Sequence, residues 1–199
     1  MQNTLQKHIP EEAIQKVIQL LEHDDLLVLI KNERKTRHGD YRKLPNGKHQ
    51  ITINNNLNKY RFLITLIHEI AHFEAYKNYG KFIKPHGLEW KRTFQHLMLP
   101  FINPDVFPLK VLPLIAKHFK NPKASSCSDP VLYQILKQFD APSDKILLKD
   151  ISIGTSFTFN KRSFIKLEKK RTRSLCKEVE TGKKYMISDL AEVIELSND

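Results

Sequence analysis

The chain has 199 residues, which is enough for one full-sized domain and a small second one. Its composition, 40% hydrophobic and 28% charged, is typical of a soluble globular protein, and no stretch approaches the roughly 20 apolar residues that a membrane span needs. The net charge of +11 favours a polyanionic partner such as nucleic acid.

The N-terminus and the cysteines bear on location. Residues 1–13 are polar and lack the apolar stretch of a secretory signal. Two cysteines, Cys127 and Cys176, are too few for a disulfide framework or for a four-cysteine zinc ribbon, and we expect both to be inert. We therefore predict a cytoplasmic protein with no membrane partner.

The first half of the chain predicts a helix, antiparallel strands and a second helix. Pro10 and two acids open an amphipathic helix that continues to Leu21. Leu26–Ile30 is typical of a buried strand, and His49–Ile53 alternates as a strand does. Turn signals lie between these strands, at His38–Asp40 and Leu44–Gly47.

Helices dominate the middle of the chain. Asn54–Asn56 can cap a long apolar helix that ends at Gly80, and a further helix is predicted from about Leu88 to Met98. Four prolines divide the next stretch into short pieces. Ser128–Pro130 begins another helix, which ends near Asp140.

From Lys145 onward the pattern changes from helical to alternating. Short apolar runs are separated by turn signals at Gly154, Asn160–Lys161 and Thr181–Lys183, which predicts a small all-β module, either an SH3-like barrel or a meander. With Ala141–Ser143 as the linker, we predict two domains, residues 1–142 and residues 143–199. The fold class is α+β.

The strongest chemical signal is His68-Glu69-Ile70-Ala71-His72 in the middle of the long helix. Four residues advance a helix by about 400°, so His68 and His72 lie on one face and can reach a single ion. Glu69 lies beside that face, where it can contact a metal-bound water. This pattern predicts one zinc ion bound by both histidines.

A catalytic zinc needs a third protein ligand and one open position. The glycine and histidine that would make the chain a metzincin are replaced by Ala75 and Asn78. A glutamate on a later helix closes the site in gluzincins, which leaves Glu89 as an alternative. His86 is the better candidate, because it ends a returning loop and Gly87 lets the main chain approach closely.

These residues carry a family resemblance. The sequence HEIAH, thirteen residues and then HGLEW, preceded by a short strand and a basic turn, resembles the SprT-like domain, which includes the Spartan proteases. The resemblance covers roughly Ile9 to Pro100. It implies a zincin-like minimal metallopeptidase domain, in which helices pack on a small antiparallel sheet.

The resemblance also implies a site and a reaction. Zinc would be held by His68, His72 and His86, and Glu69 would be the catalytic base that takes a proton from zinc-activated water. Family members of known activity cleave proteins held on DNA, so a protein bound or crosslinked to DNA is the implied substrate. The chain departs from the bacterial SprT pattern at its end: only Cys176 remains where a four-cysteine ribbon is common, and a basic β module takes the ribbon's place.

Basic residues are clustered rather than scattered. Residues 31–48 hold seven basic and two acidic side chains, and residues 161–173 hold seven basic and one acidic. No base-reading motif is evident, so we predict sequence-independent, salt-sensitive contact with DNA. The cations that we expect to make this contact are Arg34, Lys35, Arg37, Lys161, Arg162, Lys169, Lys170, Arg171 and Arg173.

Two other functions are compatible with the sequence. In the first, the chain is a non-proteolytic nucleic-acid-binding protein that zinc merely stabilises; the retained Glu69 argues against it, because a structural site needs no base. In the second, the chain is a zinc hydrolase that acts on a small amide. The sequence indicates neither a second oxyanion donor nor an oligomeric state, and His96 and His118 are predicted to be surface or core histidines rather than ligands.

Overall fold

A computed structural model describes residues 2–34, 37–123 and 129–196 and divides the chain into two compact units, Met1–Asp140 and Ala141–Asp199. The fold combines helices with two sheets and belongs to the α+β class. Within the described ranges, no helix is both long and apolar enough to cross a membrane.

The first unit opens with helices and a three-stranded sheet. The helix predicted from Pro10 is confirmed, although its first turn, Glu11–Ala13, is a 3-10 helix. The elements up to the long helix are α1 (Gln2–Leu5), α2 (Ile14–Leu20), β1 (Leu26–Lys31), β2 (Gly39–Lys43) and β3 (His49–Asn54).

The sheet of the first unit has the order β1–β3–β2. β2 pairs with β3 antiparallel, as predicted, but β1 pairs with β3 in parallel, so the prediction of an antiparallel sheet was wrong for β1. Alternation identifies strands without fixing their order, and here the segment that contains β2 crosses to the far side of β3. β3 is consequently buried along its whole length, whereas β1, which lies at an edge, is half-buried rather than buried.

The helices that follow carry the site: α3 (Lys59–Tyr79), α4 (Leu88–Met98), α5 (Leu112–Phe119) and α6 (Pro130–Lys137). The predicted bounds of α4 and the end of α3 at Gly80, where φ is 80°, are confirmed. The cap of α3 was placed wrongly at Asn54–Asn56. Asn54 belongs to β3, and Asn58 instead accepts hydrogen bonds from the main-chain N–H groups of Tyr60 and Arg61.

The core of the first unit forms where α3 packs against β2, β3 and α4. Large side chains from both helices are fully buried there, among them Phe62, Phe73, Trp90 and Phe94. Because α3 is covered on several sides, the polar residues at its centre lie inside the protein.

The second unit is a six-stranded sheet in the order β4–β9–β5–β6–β7–β8. Its strands are β4 (Ile146–Leu147), β5 (Ser156–Phe159), β6 (Arg162–Lys169), β7 (Arg173–Glu178), β8 (Lys184–Ser188) and β9 (Glu192–Glu195). The predicted turn at Asn160–Lys161 is confirmed: both residues have positive φ, 52° and 65°, as a two-residue hairpin turn requires. Cys176 is buried and burial raises the pKa of its thiol to about 11, while Cys127 lies outside the described residues.

Candidate metal centre

Three imidazoles meet at one point in the first unit. His68 and His72 project from successive turns of α3, and His86 reaches them from the loop before α4. The Nε2 atoms are 3.2 Å apart for His68 and His72, 3.0 Å for His72 and His86, and 3.3 Å for His68 and His86. Among the described residues, these three form the group of side chains that can hold a metal ion, and the alternative ligand Glu89 is not part of it.

The loop that delivers His86 has an unusual main-chain conformation. His86 has a φ of 57°, in the left-handed region that few non-glycine residues adopt. The next residue, Gly87, donates its N–H to the carbonyl of Lys84 at 2.8 Å, and a Cβ on Gly87 would lie 2.8 Å from that same oxygen. The close approach expected of Gly87 is therefore confirmed, and it turns the chain back into α4 directly after the third histidine.

The distances between the imidazoles fit a tetrahedral zinc ion. An ion about 2.0–2.1 Å from each nitrogen, with tetrahedral angles, needs its ligand atoms about 3.3–3.4 Å apart. Burial, followed by the neighbouring histidines, lowers the pKa of His68 to about 2 and that of His72 to about 4, and burial also lowers the pKa of His86. All three rings are thus held neutral, as metal ligands must be. Three neutral rings with Nε2 atoms facing one another cannot all donate, whereas a cation satisfies all three lone pairs.

Trp90 forms a wall of this site that sequence reasoning missed. The indole of Trp90 is fully buried, and its centre lies 4.7 Å, 5.2 Å and 4.7 Å from those of His68, His72 and His86. Phe94, one turn further along α4, lies 5.4 Å from His68. The only signal in the sequence was the position of Trp90 four residues after His86, which places it on the first turn of the helix that the histidine loop enters.

Glu69 lies in an enclosed environment beside the histidines. Glu69 is only 6% exposed. Burial raises the pKa of its carboxyl to about 8, and the nearby Asp40 contributes to the shift. The main-chain N–H of Tyr41 donates to this carboxyl, and Arg34 and Arg37 oppose the shift. A carboxyl in this position binds a proton much more readily than an exposed glutamate does.

Gly39 allows β2 to pass directly over Glu69. A Cβ on Gly39 would lie 2.5 Å from Glu69 Oε1 and 2.8 Å from Thr65 Cγ2, and Cβ atoms do not approach other atoms so closely. The prediction of a turn at His38–Asp40 was therefore wrong. Gly39 and Asp40 belong to a strand, and the glycine is there because no side chain fits between the strand and the helix.

A cavity of about 680 Å³ opens over the three histidines. Residues of β2 form one of its walls, Trp90 and Phe94 another, and His118 from α5 also borders it. Tyr76 lines the cavity as well, whereas Tyr79, one turn further along α3, is 54% exposed and is not among the lining residues. The cavity is of the size that holds small ligands or a few residues of a peptide.

The basic residues predicted to contact DNA have different surroundings. In the first unit, Arg34 donates hydrogen bonds to Thr52 and Asn54 of β3. Arg37 forms an ion pair with Asp40. Lys35 lies outside the described residues. In the second unit, all six predicted cations are exposed: Lys161, Arg162, Lys169, Lys170, Arg171 and Arg173. Two of these six have acidic partners: Arg162 pairs with Glu178 and Lys170 with Glu168.

Comparison with known proteins identifies the family. A model of the SprT-like family matches residues 4–108, somewhat more than the Ile9–Pro100 span of the resemblance. A search of curated proteins and a search of solved structures each returned no match. The matched segment is more than half of the chain and contains all three histidines and Glu69. The chain therefore belongs to the SprT-like family.

Proposed function

We propose that this protein is a zinc-dependent peptidase in which His68, His72 and His86 hold one zinc ion and Glu69 is the general base. The observation that carries the proposal is the convergence of three Nε2 atoms within 3.0–3.3 Å of one another, beside a buried carboxyl and beneath an open cavity. Membership of the SprT-like family supports the same reaction class.

Glu69 is positioned to act as the general base. When bound, zinc would act as a Lewis acid that polarises the scissile carbonyl and makes a water molecule more acidic. Burial raises the pKa of Glu69, so its carboxyl holds a proton taken from water more readily than an exposed glutamate does and can pass that proton to the leaving amine. Gly39 and the main-chain N–H of Tyr41 fix the carboxyl in place, so little reorganisation is needed during the reaction.

An extended peptide can be held by β2. This strand lies at the edge of its sheet, and its residues Gly39, Asp40 and Tyr41 line the cavity. Edge strands bind extended peptides through main-chain hydrogen bonds, which are independent of side-chain identity. We propose that the substrate is a protein segment bound in this way, rather than a small amide.

The test of this function is Glu69→Gln, which keeps the shape of the side chain and removes its basicity. We expect the variant to bind one zinc ion per chain, as the wild type does, and to lose cleavage of a basic protein. Glu74→Gln is the matched control, since Glu74 lies on the same helix but pairs with His23 at 3.1 Å. Cleavage by Glu69→Gln at the wild-type rate would refute the mechanism.

We further propose that substrates are presented on DNA, including proteins crosslinked to it, which would make the chain a DNA–protein crosslink repair peptidase. Support comes from the exposed cations of the second unit, Lys161, Lys169, Arg171 and Arg173 among them, together with the net charge of +11. Replacing Lys169, Arg171 and Arg173 with alanine should weaken binding of single-stranded DNA. It should also reduce the slope of log K against log salt by about 0.7 per lost phosphate contact.

The control for DNA binding removes the same charge elsewhere. Lys110, Lys117 and Lys120 are exposed lysines of the first unit, and their replacement with alanine should leave the salt slope unchanged. Equal weakening by both triple variants would mean that net charge alone recruits DNA. Unchanged binding after loss of Lys169, Arg171 and Arg173 would refute the proposed DNA surface.

The alternative, a non-proteolytic protein that zinc stabilises, has less support. A structural zinc site is closed by four protein ligands, whereas the group within the described ranges has three and borders a cavity. Under this alternative Glu69→Gln would change nothing and the wild type would not cleave. The experiment above therefore distinguishes the two.

We also propose a more specific fold for each of the two units. The first unit would be a zincin-like minimal domain, supported by an active helix flanked by a small sheet. The second would be an SH3-like barrel in place of the zinc ribbon, supported by a meander from β5 to β8 whose following strand, β9, returns to pair with β5. The proposed domains remain residues 1–142 and 143–199, and the proposed location is the cytoplasm.

A further inference from the structure

A second cavity, of about 330 Å³, lies in the β module of the second unit. It runs along β8, a strand at one edge of the sheet, which contributes Tyr185–Ser188 to its lining. Residues around the turn between β5 and β6, Phe159 and Arg162 among them, line it as well. We call this cavity the β8 pocket. Among the described residues that line it none is acidic, whereas Arg162 and Arg173 are cations.

Arg162 has a fixed orientation in the β8 pocket. Its Nε–H donates to the carboxylate of Glu178, which is 3% exposed and also accepts from the hydroxyl of Thr181. The guanidinium carbon of Arg162 lies 4.6 Å from the ring centre of Tyr185 and 5.2 Å from that of Phe164. A planar cation that an ion pair holds over aromatic rings loses little freedom when a ligand binds to it.

The guanidinium of Arg162 nevertheless remains open to a ligand. Its side chain is 43% exposed, so the ion pair and the two rings cover only part of it. Nucleobases stack on guanidinium planes and on aromatic rings, and Phe159, which is half-buried, adds apolar surface to the same pocket. The β8 pocket therefore combines a stacking platform with apolar walls.

Arg173 supplies the second cation of the β8 pocket. It is exposed, and within the described ranges of the chain no acidic side chain pairs with it. Its partner in the pairing of β7 with β8 is Ser188, which also lines the pocket. Guanidinium and hydroxyl groups both donate hydrogen bonds to phosphate oxygens. The pocket thus holds one guanidinium that Glu178 neutralises and orients, and another that can bind an anion.

We infer that the β8 pocket binds one nucleotide of single-stranded DNA, with the base stacked on Arg162 and an adjacent phosphate bound by Arg173. The inference rests on the proposed presentation of substrates on DNA, and it names the place where the strand is held. Neighbouring bases cover both faces of each base in a duplex, so only an unstacked base can enter the pocket. An acidic peptide would neutralise Arg173 but would leave the stacking platform unused.

The first arm of the test compares two single strands of equal length, an oligothymidine and a wholly abasic strand. Both carry the same phosphates and only the first carries bases, so fluorescence anisotropy at one salt concentration measures what the bases contribute. We expect the wild type to bind oligothymidine about 10-fold more tightly, as stacking of a single base provides. Equal affinities for the two strands would refute the inference without any variant.

The second arm assigns the base to the β8 pocket. Arg162→Lys keeps the charge that pairs with Glu178 but lacks the planar group. The preference for oligothymidine should therefore disappear, while affinity for the abasic strand stays unchanged. Arg171→Lys is the matched control, since Arg171 is an exposed arginine of the same unit that does not line the pocket. A preference that persisted in Arg162→Lys would refute the inference.

Tyr185 tests the platform from below. Tyr185→Phe keeps the ring and should keep the preference for oligothymidine, whereas Tyr185→Leu removes the ring and should lose it. A full preference in Tyr185→Leu would contradict the proposed platform. Because Tyr185 packs against Phe164, with ring centres 5.8 Å apart, Tm is measured for each variant. If Tyr185→Leu does not fold, Arg162→Lys decides alone.

The outcomes separate the β8 pocket from the proposed DNA surface. If loss of Lys169, Arg171 and Arg173 weakened both strands but the wild type showed no base preference, the surface would stand and the pocket would be refuted. If that triple variant bound both strands normally, the surface would fail, and Arg162→Lys would still decide whether a base stacks in the pocket. Weaker duplex binding by Arg162→Lys, or tighter wild-type binding of an oligouridine RNA than of oligothymidine, would overturn the assignment to single-stranded DNA.

Discussion

Both units of this protein bury polar side chains, but they do so with different partners. In the second unit, Lys166 is 2% exposed and donates to the carbonyls of Leu148 and Ile151 at 2.8 Å and 2.6 Å. Ser174 likewise donates to Asp189 at 2.7 Å, so each of these buried groups has a complementary partner in the protein. In the first unit, the Nε2 atoms of three imidazoles converge instead to within 3.0–3.3 Å of one another, as metal ligands do.

This difference in partners distinguishes buried polar groups that stabilise the fold from buried polar groups that can bind a ligand. A donor matched to an acceptor stabilises the fold, and removing one partner leaves the other unsatisfied. Acceptors that converge without a donor are stabilised only by a cation or a donor from outside. We therefore expect changes in His68, His72 or His86 to alter zinc binding and activity, and changes in the second unit's buried groups to alter stability alone.

The largest expected effect is the loss of zinc from His86→Ala. Because one of three ligands is removed, zinc affinity should fall by more than the ~100-fold that loss of an outer-shell partner causes. Competition with a chromophoric chelator measures this affinity. His23→Ala removes a histidine outside the group and should bind zinc as the wild type does; wild-type affinity in His86→Ala would show that the loop histidine is not a ligand.

Gly39→Ala should impair activity while leaving zinc in place. The added methyl group would lie 2.5 Å from Glu69 Oε1, so the carboxyl must move, and a shift of this kind costs about 100-fold in kcat/KM. Gly47→Ala is the control, because nothing lies within 4 Å of a Cβ there, although a positive φ makes that substitution strained too. Equal activities of the two variants would mean that β2 does not position Glu69.

Lys166→Met should destabilise the second unit and leave zinc affinity unchanged. Two main-chain carbonyls lose their donor, which costs about 1–3 kcal/mol of unfolding free energy. Amide hydrogen exchange in β6 and β7 reports the stability of this unit separately. Lys169→Met changes an exposed lysine on the same strand and should have no such effect; faster exchange in both variants would contradict the assignment.

The smallest effect concerns the cap of α3. Asn58→Ala removes the acceptor for the N–H groups of Tyr60 and Arg61 and should cost about 1 kcal/mol in urea unfolding. Asn56→Ala alters an exposed residue that the sequence alone favoured as part of the cap, and it should be nearly neutral. A larger loss from Asn56→Ala than from Asn58→Ala would show that α3 begins earlier than Lys59.

Local features were predictable because short spacings determine them. The bounds of α4, the end of α3 at Gly80 and the turn at Asn160–Lys161 all follow from patterns within a few residues. His68 and His72 are brought together by one turn of a helix, so their proximity needs no tertiary information. The third ligand was harder to predict. Both His86 and Glu89 were candidates, and only the distances between side chains distinguished them.

Features that depend on distant parts of the chain were missed. The parallel pairing of β1 with β3 depends on where the intervening segment crosses, which no periodicity records. Gly39 was interpreted as a turn residue because the helix that approaches it is distant in sequence. The two basic clusters looked alike, yet Arg34 is bonded within the first unit, whereas Lys161 and Lys169 of the second are exposed.

The amino-acid sequence was enough to identify the reactive groups: paired histidines and a carboxylate on one helix, a third histidine before a glycine, and an excess of cations. Helical geometry is local, so spacing was sufficient. Three features of the site depend instead on tertiary packing: Trp90 lies against all three imidazoles, β2 encloses Glu69, and His118 borders the cavity. Each of these depends on the packing of elements far apart in the chain, and burial and pKa follow from that packing.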